Sequence, residues 1–179
     1  MAELGMDEKA KDDVKTKYLA IRYDFLIGFK SVAAGNYNAL YSGEMIWPLP
    51  GYHTISSPYG MRTHPIIGDY RMHYGIDIPA PEGTPTLSPA NGKVISYEYS
   101  DAVGWTMVVD HGVNENGERI MTRYCHLSDK VARVGQEVAA GEVIAKVGNT
   151  GYLSTGAHLH FEVTVNGVTV DPATMFTSK

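Results

Sequence analysis

Cysteine is nearly absent from this sequence. Cys125 is the only one in 179 residues, which excludes an intrachain disulfide and a zinc site built from several thiolates. Basic charge is also scarce. Fifteen Lys and Arg against 20 Asp and Glu give a formal charge of -5. A chain that grips nucleic acid by its phosphates carries the opposite bias, so no nucleic-acid partner is expected. No apolar run is long enough to cross a bilayer. The longest candidate, Tyr18 to Phe29, is interrupted by Arg22, Asp24 and Gly28, and no membrane span is expected. The N-terminus lacks the basic, apolar, small-residue order of a secretory signal, and Met1 to Met6 fit an expression scar. Long low-complexity runs are missing too. With 44% hydrophobic and 20% charged residues, the chain is rich enough to build a core and is not disordered throughout.

What is present divides into two zones. Residues 1–45 carry seven acids and six bases, with no proline from Asp7 to Ala34. Val14, Tyr18, Ile21, Phe25, Gly28 and Val32 recur at alternating steps of four and three, one stripe of an α-helix. Gly35-Asn36 reads as its stop, and a Gly, Asn and Ser-rich linker runs on to Glu44. The stripe is short and contains Gly28, so a helix docked on its own domain is favoured over a coiled-coil stalk. From Ile46 to Lys179 the pattern turns to β. Lys93–Tyr99, Trp105–Asp110, Glu118–His126, Val143–Val147 and His158–Val165 are rich in Val, Ile, Tyr and Thr. Asn91-Gly92, Asn116-Gly117, Gly148-Asn149 and Asn166-Gly167 separate them as turn signals. The expected fold is mainly β, an antiparallel sandwich or barrel-like domain preceded by the N-terminal helix.

Seven histidines punctuate the chain. In His158-Leu-His160-Phe-Glu162, strand alternation puts both imidazoles and the carboxylate on one face. Leu159, Phe161 and Val163 then face a core. In His73-Tyr-Gly-Ile-Asp77, the same alternation aligns His73 with Asp77 across a glycine that adds no side chain. His73, Asp77 and one of the paired histidines make a nitrogen, nitrogen, oxygen donor set. Three such ligands leave one tetrahedral position open, the pattern of a catalytic zinc site. Copper, nickel and iron share these ligand types, but the set suits zinc. His126, in Tyr124-Cys-His126-Leu-Ser128, ends a predicted strand.

The order Ser56-Ser-Pro-Tyr-Gly-Met-Arg62, His64-Pro65, His73-Tyr-Gly-Ile-Asp77, Ala80-Pro-Glu-Gly-Thr-Pro85, Tyr124-Cys-His126-Leu-Ser128, then Gly148-Asn-Thr-Gly151 through His158-Leu-His160-Phe-Glu162 resembles the lysostaphin/LytM-type zinc metallopeptidases. The resemblance covers Ile46 to Phe176, which implies a metallopeptidase domain over 46–179. It implies hydrolysis of peptide bonds in bacterial peptidoglycan, with Zn2+ held by His73, Asp77 and His160. His126 and His158 are implied as the catalytic histidines, His158 being the candidate general base. A monomer acting outside the cell or at the cell wall is expected, with peptidoglycan peptides as its partner. Cys125 departs from the family pattern, which has a smaller residue there. Alternation turns it away from a site that His126 faces, as a buried small hydrophobe.

Two other readings compete. One is a catalytically silent wall-binding or regulatory module on the same scaffold, which the intact five-residue set argues against. The other is a lipoyl- or biotinyl-carrier hairpin, suggested by Val134 to Ile144. Such a carrier needs an exposed lysine at its tight turn, whereas Gly148-Asn149-Thr150-Gly151 contains none. Glu162 is a candidate to orient a ligand imidazole. Arg62 and Arg71 are candidates to meet substrate carboxylates, and the segment Arg62 to Pro65 leans toward cross-linked stem peptides as substrate. His64 is read as a groove or structural residue, and His53 and His111 as structural.

Overall fold

The computed structural model describes residues 37–65 and 68–178. The helix expected over 7–34 lies outside them. The described chain is built from β1 (Met45–Ile46), β2 (Gly60–Thr63), β3 (Tyr70–His73), β4 (Ile76–Pro79), β5 (Pro85–Leu87), β6 (Gly92–Ser100), β7 (Gly104–Val113), β8 (Arg119–Leu127), β9 (Asp129–Lys130), β10 (Glu137–Val138), β11 (Val143–Lys146), β12 (His158–Val165), β13 (Val168–Val170) and β14 (Phe176–Ser178). One 3-10 turn, Pro172–Thr174, precedes the last strand.

The main sheet is antiparallel, in the order β10-β6-β7-β8-β12-β13, with β4 also paired to β12. Among the described residues its strand order does not close into a barrel, and the mainly β fold expected from the sequence is present. A smaller sheet, β5-β11-β9, adds Ile144 and Ala145 to the core. The alternation along β12 is the one its residue types dictate. Leu159, Phe161 and Val163 are fully buried with Ile76, Ile78 and Tyr124. Removing each such side chain from water contributes roughly 1.5–3 kcal/mol. The polar residues His158, His160 and Glu162 are left for the opposite face.

Asn166 and Gly167 adopt left-handed φ values of 50° and 78°, the pair a two-residue hairpin needs, and join β12 to β13. Asn91-Gly92 behaves differently. Gly92 already starts β6, and a Cβ there would sit 2.7 Å from Val109. The segment read from the sequence as a linker to Glu44 touches the domain through one of its side chains, and Met45 follows it inward. Tyr41 and Met45 are buried, and β1 pairs with β14 near the other end of the chain.

Candidate active site

Strand register brings the site together. His160 on β12 lies directly opposite Asp77 on β4 and opposite Cys125 on β8. His73 is the last residue of β3. The chain bends at Tyr74-Gly75, so His73 and Asp77 sit on two strands and not on the single one that alternation implied. The glycine is still required, for another reason. A Cβ on Gly75 would lie 2.3 Å from the Phe161 carbonyl oxygen, so only glycine lets this bend press against β12.

Three donor atoms form a small triangle. His160 Nδ1 is 2.8 Å from Asp77 Oδ1, His73 Nε2 is 3.2 Å from the same oxygen, and the two nitrogens are 3.1 Å apart. The far side of each ring is occupied. His73 Nδ1 donates to the Pro58 carbonyl at 2.8 Å, and His160 Nε2 donates to Glu162 Oε1 at 3.0 Å. With those protons placed, both inward nitrogens present lone pairs to each other and to a carboxylate. Such an arrangement is repulsive unless a cation sits among them. Tetrahedral zinc at its usual bond lengths spaces its ligands by about 3.3 Å, close to this triangle, so the donor set fits a metal of that kind.

The same convergence shifts the titrations. When no cation sits among the donors, protons on the inward nitrogens take its place: burial opposes ionisation of Asp77, but hydrogen bonds from His160 and His73 then outweigh it and hold the carboxyl well below the usual range. Burial disfavours charge on His160, yet hydrogen bonds to Asp77 and Glu162 raise its pKa. Glu162 is buried and pairs with Arg123 at 3.3 Å, a link that fixes the carboxylate behind the imidazole.

His126 and His158 stand beside the triangle with ring centres 4.7 Å apart. His126 Nδ1 donates to the Thr150 carbonyl and His158 Nδ1 to the Gly156 carbonyl, each at 2.8 Å. Both rings therefore keep Nε2 free as a base. Burial, with His158 and His160 nearby, lowers the pKa of His126 to about 3. Burial also lowers that of His158, against the raising effect of Asp77.

His126 has a left-handed backbone, φ 62°, an uncommon and strained state for a side chain of this size. That twist breaks the alternation of β8 and corrects the expectation for Cys125. Cys125 is fully buried as expected, but it shares the face of His160 and does not turn away from the site.

The structure thus gathers His73, Asp77, His160, His126 and His158 into one cleft, and adds His64, Arg62 and Arg71 to its wall. Burial first, then Arg62 and Arg71, lower the His64 pKa to about 4. Tyr74 lines the cleft, whereas Tyr59 packs on the core and donates to the Thr169 carbonyl. His111 is buried far along β7, and His53 lies against Trp47. Four contributors escaped sequence reasoning. Pro58, Thr150 and Gly156 act through backbone carbonyls, which leave no residue signature. Arg123 was findable, being the register partner of Glu162.

Residues 71–172 match peptidase family M23. The chain belongs to that family. This M23 chain is 41% identical over 124 residues to the DD-carboxypeptidase/endopeptidase Mpg of Neisseria meningitidis, covering 69% of its own length and 27% of that protein. It therefore spans about a quarter of the curated relatives it matches. A zinc-containing peptidase from Vibrio cholerae superposes with a TM-score of 0.62 at 35% identity, over 75% of this chain and 39% of that one. The catalytic domain of lysostaphin from Staphylococcus simulans superposes with a TM-score of 0.57 at 32% identity, over 69% of this chain and 90% of that one.

Proposed function

We propose that this M23 chain is a zinc-dependent endopeptidase that hydrolyses peptide bonds in the cross-links of bacterial peptidoglycan. The observation that carries the reading is the triangle of His73 Nε2, Asp77 Oδ1 and His160 Nδ1, with both imidazoles locked by hydrogen bonds on their far sides. These three residues would hold the ion. When bound, zinc supplies Lewis-acid polarisation of a carbonyl oxygen and makes water a nucleophile near neutral pH.

The remaining work falls to the chain's own groups. His158 Nε2 points at the cluster, 3.7 Å from Asp77 Oδ1, and its neutral ring takes the proton of the attacking water. The same proton can then pass to the leaving amine. His126 holds the second position, fixed through Thr150, and its bare Nε2 accepts a hydrogen bond that orients the attacking water. Relatives named DD-endopeptidases, among them ShyC of Vibrio cholerae at 33% identity over 125 residues, support stem-peptide cross-links with D-amino acids as the substrate. That chemistry also supports an extracellular or wall-associated site of action.

The test is digestion of purified sacculi of defined cross-bridge chemistry, with new termini identified by mass spectrometry. Release of cross-linked stem peptides, abolished by a chelator and restored by zinc, is expected. Sacculi left intact by the zinc-loaded protein, with wall binding retained, would instead support the silent module.

A further inference from the structure

We infer that Arg62 and Arg71 form a carboxylate-binding subsite beside the metal-ligand cluster, which selects peptides carrying a free carboxylate next to the scissile bond. The inference rests on the proposed function and names the substrate class of that site. Its basis is register. Arg62 on β2 and Arg71 on β3 are direct cross-strand partners in a ribbon of two strands. Partners opposite each other project to one face, and Arg71 shares that face with His73 two residues on. Both guanidiniums accordingly line the same cleft as His73 and Asp77.

Two like charges directly opposed weaken a strand pair unless anions lie beside them. A carboxylate already lies near each guanidinium. Asp77 Oδ2 lies 3.6 Å from Arg62 Nη2, and Asp69 Oδ2 lies 3.4 Å from Arg71 Nη2. The Arg62 contact runs through a single nitrogen, not the parallel two-bond fork that guanidinium makes with a carboxylate it recognises. Arg62 Nε is buried with no hydrogen-bond partner, a donor held in reserve. Two residues of extended strand separate His73 from Arg71, roughly 6.7 Å. A peptide lying extended in the cleft would therefore present its carboxylate within about two residues of the carbonyl under attack. Glycine bridges offer no anion at that distance.

The test uses the zinc-loaded protein and a synthetic cross-linked stem peptide in two forms. One has the carboxylate beside the scissile bond free, and the other has it amidated. The free acid should be cleaved with kcat/KM about ten- to a hundredfold higher, as a charged hydrogen-bonded pair warrants. Arg71→Gln should bring the ratio toward unity, and Arg71→Lys should restore only part of it, because lysine keeps the charge without the fork. Zinc content measured on each variant separates loss of the subsite from loss of the metal. Calorimetry of the cleavage-product peptide, acid against amide, reads binding without turnover. Equal cleavage and equal binding of the two forms by the wild type would overturn the subsite and leave the proposed function standing. The same holds if the preference survives Arg71→Gln at full zinc content. Preferential binding of the free acid without cleavage of either form would keep the subsite and remove the proposed function. Neither binding nor cleavage would remove both.

Discussion

A histidine offers two nitrogens, and here the backbone decides which one faces the cleft. Pro58, Thr150 and Gly156 each accept one ring proton through a carbonyl oxygen, and Glu162 accepts the fourth. The four imidazoles thus differ in role because of where they point, not because of what they are. Variants should separate along that line. His73→Ala and Asp77→Ala remove a donor from the triangle and should lose zinc. His158→Ala and His126→Asn should keep zinc and lose activity, about 100-fold or more for a lost positioned base. Asparagine is chosen at 126 because it tolerates the left-handed backbone. Metal analysis beside sacculus digestion checks the division, and an Asp77→Ala protein with full zinc and normal turnover would break it. Strand alternation and ligand chemistry put forward His73, Asp77 and one of the paired histidines, the family resemblance added the rest, and the structure brings all five to one cleft. The tautomers were not legible in the sequence, because a carbonyl acceptor can come from any residue.

At the scale of elements, the site depends on how closely β4 approaches β12. The register pairs Asp77 with His160, and Gly75 is what permits the approach. Gly75→Ala should push the bend off the Phe161 carbonyl and cost about 1–3 kcal/mol of stability, the usual range for overpacking. Because Asp77 moves with β4, zinc affinity should fall in the same variant. Gly156→Ala is the stability control, since a Cβ there meets nothing within 4 Å and its thermal midpoint should change little. Thermal unfolding and zinc competition with a chelator read the two effects. Equal midpoints for the two variants would contradict the packing argument. The long strands of the main sheet were readable from β-branched runs and their turns, and the Asn166-Gly167 hairpin from its dipeptide. Short strands such as β2 and β3 were not. They carry four residues each, too few for a period to register, and their pairing is set by the site they frame.

Across the whole molecule, buried histidines tie stability to pH. His111 lies in the interior, with Nδ1 donating to the Asn91 carbonyl and Nε2 2.8 Å from Thr122 Oγ1. Burial lowers its pKa to about 4 from 6.5. His64 and His126 are lowered to about 4 and about 3, burial again leading. The sign follows from which state binds the proton. Between pH 6.5 and 4 the unfolded chain protonates these rings while the folded chain refuses, so stability is full above the unfolded value and drains as pH falls through that window. His111 alone accounts for up to roughly 3 kcal/mol of the loss. Zinc held at the proposed site would leave over an acidic range too, because imidazole ligands must be neutral. The measurement is therefore urea unfolding of chelator-treated protein at steps from pH 7 to pH 4. The wild type should lose stability steeply, and His111→Asn should do so less steeply, whatever its stability at pH 7. His111 serves as the probe because it lies outside the cleft, so its slope reports the fold without the chemistry. Identical slopes in the two proteins would mean that the interior accommodates a charged ring at 111, contrary to its burial.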